Sequence, residues 1–114
     1  MTLEEFLSQL QSDPQAIAFN DTIAVIDSHY NFTETAFANG DLQNLAGQNN
    51  GSCKIFAFGQ LHSLSPEHTL QCFGDFYRRD VLENPDGADH QNIRNFMQHQ
   101  WQGIAFDSQA LTNK

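Results

Sequence analysis

Positive charge is the scarcest property of this chain. Its 114 residues hold five Lys and Arg against fourteen Asp and Glu, a formal net charge of -9. A field of that sign repels phosphate backbones, so nucleic acid is not an expected partner. Long apolar runs are missing too. No stretch of about 18 apolar residues exists to span a bilayer, and no membrane role is expected. The opening "MTLEEFLSQL" is acidic and amphipathic, without the basic start and apolar stretch of a secretory signal. Cysteine is limited to Cys53 and Cys72, one in each of two expected helices, which reads as thiols of a reducing compartment and not as a disulfide framework. CxxC, HxxxH and HExxH patterns are absent. His68 and Cys72 share a helix face and His62 could join them across a turn. However, Cys53 and His62 point to opposite sides of one helix and the acidic residues are scattered, so no metal or cofactor is expected. There is no internal repeat, low-complexity tract or linker, and the many Asn and Gln do not fit a thermophile's chain.

What remains is one domain, residues 1–114, long enough to bury roughly two-thirds of its unfolded surface. Its ten Phe residues suggest a core built largely of Phe. Thr2-Leu3-Glu4-Glu5 is a capping box, and Leu3, Phe6, Leu7 and Leu10 follow as one helical stripe that stops at Asp13-Pro14. Asn20 or Asp21 caps a second helix, with Phe19, Ile23, Ile26 and Tyr30 on one face. "NFTETAF" suits a strand, Asn39-Gly40 is a turn signal, and a Gly- and Asn-rich loop continues to Gly51. "CKIFAFGQLH" reads as a helix capped by Ser52, apolar on several sides and therefore central. Ser65-Pro66 opens another, whose inner stripe is Leu70, Phe73, Tyr77 and Val81, widened by Phe76, with Gln71, Asp75, Arg78 and Arg79 outside. After the turn Asn84-Pro85-Asp86-Gly87, Asp89 caps a last helix with Ile93, Phe96 and Met97 inward. "GIAF" is a short strand that could pair with "FTETAF". The fold class is α+β, mostly helical, with about four to five helices around a central apolar one and a small two-stranded antiparallel sheet.

Three chemistries compete for the stretch "NLAGQNNGSCKIFAFG". If Ser52 is the cap, Cys53 is the first helical residue, where the helix dipole and free N–H groups lower a thiol's pKa. His90 could then be its base and Asp89 the third member of a catalytic set, making a cysteine hydrolase or acyl transferase. The same residues fit a small buried cysteine and a hydrogen-bonded histidine. The second chemistry is binding. Backbone N–H groups at the helix start, with Asn39, Asn49, Ser52 and Lys54, could hold a carboxylate or phosphate, helped by Arg78 or Arg94. The GxxxxGK[ST] spacing of a P-loop is absent. The third reading is structural: a loop that caps its own helix, and arginines in surface ion pairs such as Asp75 with Arg79.

The blocks "FTETAFANGDLQN", "AGQNNGSCKIFAFG", "TLQCFGDFYRRDVLENPDG" and "DHQNIRNFM", followed by "GIAF", resemble the HopJ type III effector family over about Leu3 to Leu111. Asn39, Gly40, Gly47, Asn49, Gly51, Ser52, Cys53, Lys54, Arg78, Asp80, His90, Asn92, Arg94 and Asn95 fall within those blocks. The resemblance implies a bacterial protein related to effectors of type III secretion and carries over no catalytic residues. Effectors usually carry a mobile Ser-rich leader, whereas the first helix here is expected from residue 3. A relative resident in the bacterial cytoplasm is therefore expected, with export by type III secretion as the alternative. The functional expectation is a non-enzymatic module that binds a protein partner or a small anionic ligand.

Overall fold

Local capping decides where the first helices begin. In the computed structural model, which describes all 114 residues, α1 spans Leu3–Ser12. The Thr2 hydroxyl accepts from the Glu5 N–H at 3.0 Å, and the Glu5 carboxylate accepts from the Thr2 N–H at 2.9 Å. Phe6 and Leu10 are fully buried on its inner stripe. α2, Phe19–His29, begins one residue earlier than Asn20 because Asp21 acts from inside the first turn, its carboxylate accepting from the Ala18 N–H at 3.1 Å.

The strands are shorter and more numerous than expected. "NFTETAF" splits into β1, Tyr30–Phe32, and β2, Phe37–Asn39. Between them the Thr33 N–H donates to Ala110 O at 2.8 Å and Thr35 meets Ser108 at 2.7 Å, so this stretch follows the C-terminal segment. The presumed long loop contains β3, Leu42–Asn44, the antiparallel hairpin partner of β2. The two-residue turn uses Gly40 at φ +61, where a Cβ would strike the His99 ring. On the other edge of β2 lies β4, Ile104–Phe106, with Phe37 opposite Phe106, so "GIAF" does close the first half of the chain against the last. β5, Leu111–Asn113, pairs with β1 in a second sheet. In place of a single two-stranded sheet there are thus one of three strands and one of two.

The core centres on α3, Asn50–Leu61, as its apolar run required. Phe56 meets the rings of Phe37, Phe73, Phe96 and Trp101, while Phe58 meets Phe6 and Tyr30 on the other side. Each such ring contributes roughly 2–3 kcal/mol of burial. Ser65 caps α4, Pro66–Gln71, through the His68 N–H at 3.1 Å. That helix stops early. Gly74 adopts φ +62 with its α-carbon against the backbone of Phe19, and the chain resumes as a π-helical segment, Phe76–Val81, closed by Leu82 N–H to Tyr77 O at 3.0 Å. Gln71 is buried and Phe76 is exposed, opposite to their expected sides. The helix α5, Gln91–His99, has His90 and not Asp89 at its N-cap position, with no side-chain cap. It buries Ile93 and Phe96 but leaves Met97 exposed.

Candidate functional site

The reading that made Cys53 a nucleophile depended on Ser52 as the cap. The helix starts at Asn50, so Cys53 lies a full turn inside and its N–H already donates to Asn49 O at 3.0 Å. The side chain is 1 % exposed, and its thiol reaches only Thr35 O, at 3.8 Å. Burial pushes that thiol up to about 11, against the direction a nucleophile needs. No histidine bonds it. His90 Nε2 lies 3.0 Å from Asp80 Oδ2 instead. Asp89 sits 3.9 Å from His90 and 2.7 Å from the Arg94 guanidinium, whose hydrogen bond holds its carboxyl below the usual range. The three residues do not form a catalytic array.

The expected cationic anchors are also engaged. Lys54 pairs with Asp27 at 2.8 Å and lies over the Phe32 ring. Arg78 donates to the carbonyls of Pro14, Ile17 and Gln71, tying the π-helical segment to the chain before α2. Arg94 donates to Asp89, Asn84 and Pro85 and staples the loop before α5. Both arginines are structural ties, a role that spacing along one helix could not reveal. The histidines and cysteines considered for metal are apart as well. His62 meets the Tyr30 hydroxyl at 2.6 Å, and no cluster of three metal-ligating side chains exists.

What the structure does bring together is the start of α3 and the start of α5. They meet across a cleft of about 380 Å³. Asn49, Gly51 and Ser52 line it from α3, and His90, Gln91 and Asn92 from α5. The caps share an unusual geometry: Asn49 has φ 53 and His90 φ 50, and neither side chain caps its helix. The N–H groups of Asn50, Gly51 and Ser52, and those of Gln91, Asn92 and Ile93, have no hydrogen-bond partner in the protein. Each set is the positive end of a helix dipole. Facing them are the rings of Phe19, Phe73 and Phe76, with Leu42 at the hairpin side. Phe76 packs on both Phe19 and the His90 ring, at 5.0 and 5.1 Å.

Below the cleft lie carboxamides. Asn44 Oδ1 accepts from Asn49 at 2.8 Å and from Asn92 at 3.0 Å. Asn39 donates to Asn92 O and Oδ1, while its own Oδ1 is buried without a partner. Of the expected ligand-binding residues, then, Asn49 and Ser52 line the cleft, Asn39 supports it, and Lys54, Arg78 and Arg94 serve elsewhere.

The sequence matches the family described as HopJ type III effector protein over residues 3–111. The chain belongs to the HopJ type III effector family. Among solved structures, this HopJ-family chain is similar to the crystal structure of VPA0580, described as a protein of unknown function. The two are 58% identical, with a TM-score of 0.98, over 100% of this chain and 95% of that one. No curated protein matches it. No helix is long and apolar enough to cross a membrane.

The apolar wall was the part of the site that sequence reasoning missed. Phe19, Phe73 and Phe76 lie on stripes that read as core, and only the break at Gly74 turns Phe76 outward to the cleft. Asn44 was not among the expected site residues either: it sits between Gln43 and an exposed Leu45, and only the fold buries it and demands a partner for its carboxamide.

Proposed function

We propose that this protein is a non-enzymatic binding module whose cleft takes a small organic anion: an anionic head on an apolar body about the size of one ring. One observation carries the reading. A single cleft is lined by residues of two helix starts, whose first-turn N–H groups are unpaired, together with three phenylalanines. The N–H groups complement a carboxylate or phosphate oxygen, and the rings complement the body that bears it. Ser52 adds a hydroxyl and His90 an imidazole at the same mouth. Family membership supports an effector-related protein and brings no catalytic residues with it. The bacterial cytoplasm, with export by type III secretion as the alternative, belongs to the same proposal.

Thermal unfolding in the presence of benzoate, phenylacetate, neutral benzamide and inorganic phosphate tests this. A ligand that binds only the folded state raises the midpoint in proportion to its concentration over Kd. The aryl carboxylates are expected to raise the midpoint, and benzamide is not. Phosphate, which lacks the apolar body, is expected to act more weakly than benzoate. Equal effects of benzoate and benzamide, or none from either carboxylate at millimolar concentrations, would remove the reading.

A further inference from the structure

The two helix starts do not touch each other directly in the hydrogen-bond network. They are joined through one buried oxygen, Asn44 Oδ1, which accepts from the side chains of Asn49 on the α3 side and Asn92 on the α5 side. Asn44 is 2 % exposed and is not among the residues that line the cleft. Its own amide donates to Phe37 O at 3.3 Å and to Asn92 Oδ1 at 3.2 Å, so the side chain is also anchored to β2. Asn39, on the opposite side of the hairpin turn, donates to Asn92 at 2.8 and 3.0 Å. Hairpin and both helix starts therefore share one polar cluster in a low-dielectric surrounding. There each bond depends on the others, and an unpaired member is costly.

We infer that Asn44 is a positioning residue that sets the separation of the two helix starts and so the width of the cleft, a role that rests on the binding reading above. The residue never meets the ligand. It acts through Asn49 and Asn92, whose backbones carry the donors. Movement of the β2–β3 hairpin moves both sets of N–H groups together, and Leu42, two residues before Asn44 on the same strand, travels with them at the cleft's edge.

The test uses the ¹⁵N-labelled full chain. Asn44→Leu removes the shared acceptor with a side chain of the same branching. In the absence of ligand, the amide resonances of Gly51 and Ser52 on α3 and of Asn92 and Ile93 on α5 are expected to move together. The Kd for benzoate is expected to rise at least about tenfold, the loss expected when one buried hydrogen-bonded link fails. Val25→Ala, a core change outside the cluster, serves as control: it lowers the melting midpoint but leaves those amides and the benzoate Kd in place. If Asn44→Leu does not fold, Asn49→Gly keeps the left-handed backbone and deletes only one arm. The Asn92 side-chain amide across the cleft is then expected to shift. Shifts confined to one helix, or an unchanged Kd in a protein whose wild type binds benzoate, overturn the positioning role. A wild type that does not bind benzoate removes the ligand reading instead, and the paired amide shifts alone then decide for or against Asn44.

Discussion

At the scale of single residues, environment outweighs identity. Cys53 follows a glycine and a serine beside a lysine, a context that suggests reactivity. Yet three residues of extra helix carry it from the exposed first turn into the core. Its thiol, normally near 9, is pushed to about 11 by burial, and that of Cys72 to about 12. The raised values fix the sign of a pH effect. Folding favours the neutral thiols, so their contribution is complete below pH 9 and is lost as pH rises through 11. Denaturant melts are expected to show stability falling over that alkaline window, and Cys53→Ala is expected to reduce the fall. Iodoacetamide at pH 8 is expected to modify Cys53 of a Cys72→Ser chain at least about 100-fold more slowly in the folded than in the unfolded state, because burial withholds both access and thiolate. Equal rates would mean that the site opens and that the buried geometry does not describe the protein in solution. The arginines teach the same lesson in reverse: Arg78 and Arg94 looked available, but carbonyl groups consume their donors, those of Pro14 and Ile17 far along the chain for Arg78 and those of the preceding loop for Arg94.

Among the elements, those coded by near neighbours were legible. The α1 capping box, the Ser65-Pro66 start of α4 and the Asn39-Gly40 turn all rest on contacts within a few residues. The central place of α3 followed from apolar residues on all its sides. The misread elements are those set by remote contacts. The break in "NFTETAF" is made by Ala110 and Ser108, more than seventy residues away. The stripe through Leu70, Phe73, Tyr77 and Val81 gave correct burial with the wrong continuity, because Gly74 interrupts the helix where the backbone of Phe19 approaches. A Cβ at Gly74 would lie 2.6 Å from Phe19 N at a φ of +62. Gly74→Ala is therefore expected to destabilise the protein by about 2–3 kcal/mol, combining left-handed strain with displacement of α2. Urea unfolding measures it, and a loss below about 0.5 kcal/mol, the range of ordinary surface changes, would show that the close approach is not required.

Over the whole molecule, composition and site pull in opposite directions. A net charge of -9 surrounds a cleft argued to accept an anion. No free lysine or arginine supplies the attraction there, so short-range donors must: backbone N–H groups whose partial charges act within a turn of the helix end. This is why the site was only half legible. Of the residue types that announce anion binding, Lys54, Arg78 and Arg94 are committed to holding the fold, while the donors invoked at the cleft are backbone amides that every sequence possesses. Convergence of two helix starts is a property of tertiary packing alone. The central claim is tested most directly by titrating benzoate into the ¹⁵N-labelled chain and following every amide. Saturable shifts centred on Gly51, Ser52, Asn92 and Ile93, with the His90 ring responding and benzamide inactive, are the predicted result. Saturable binding that leaves those amides unmoved and perturbs another surface, such as the groove beside Leu61 and Leu111, would contradict it.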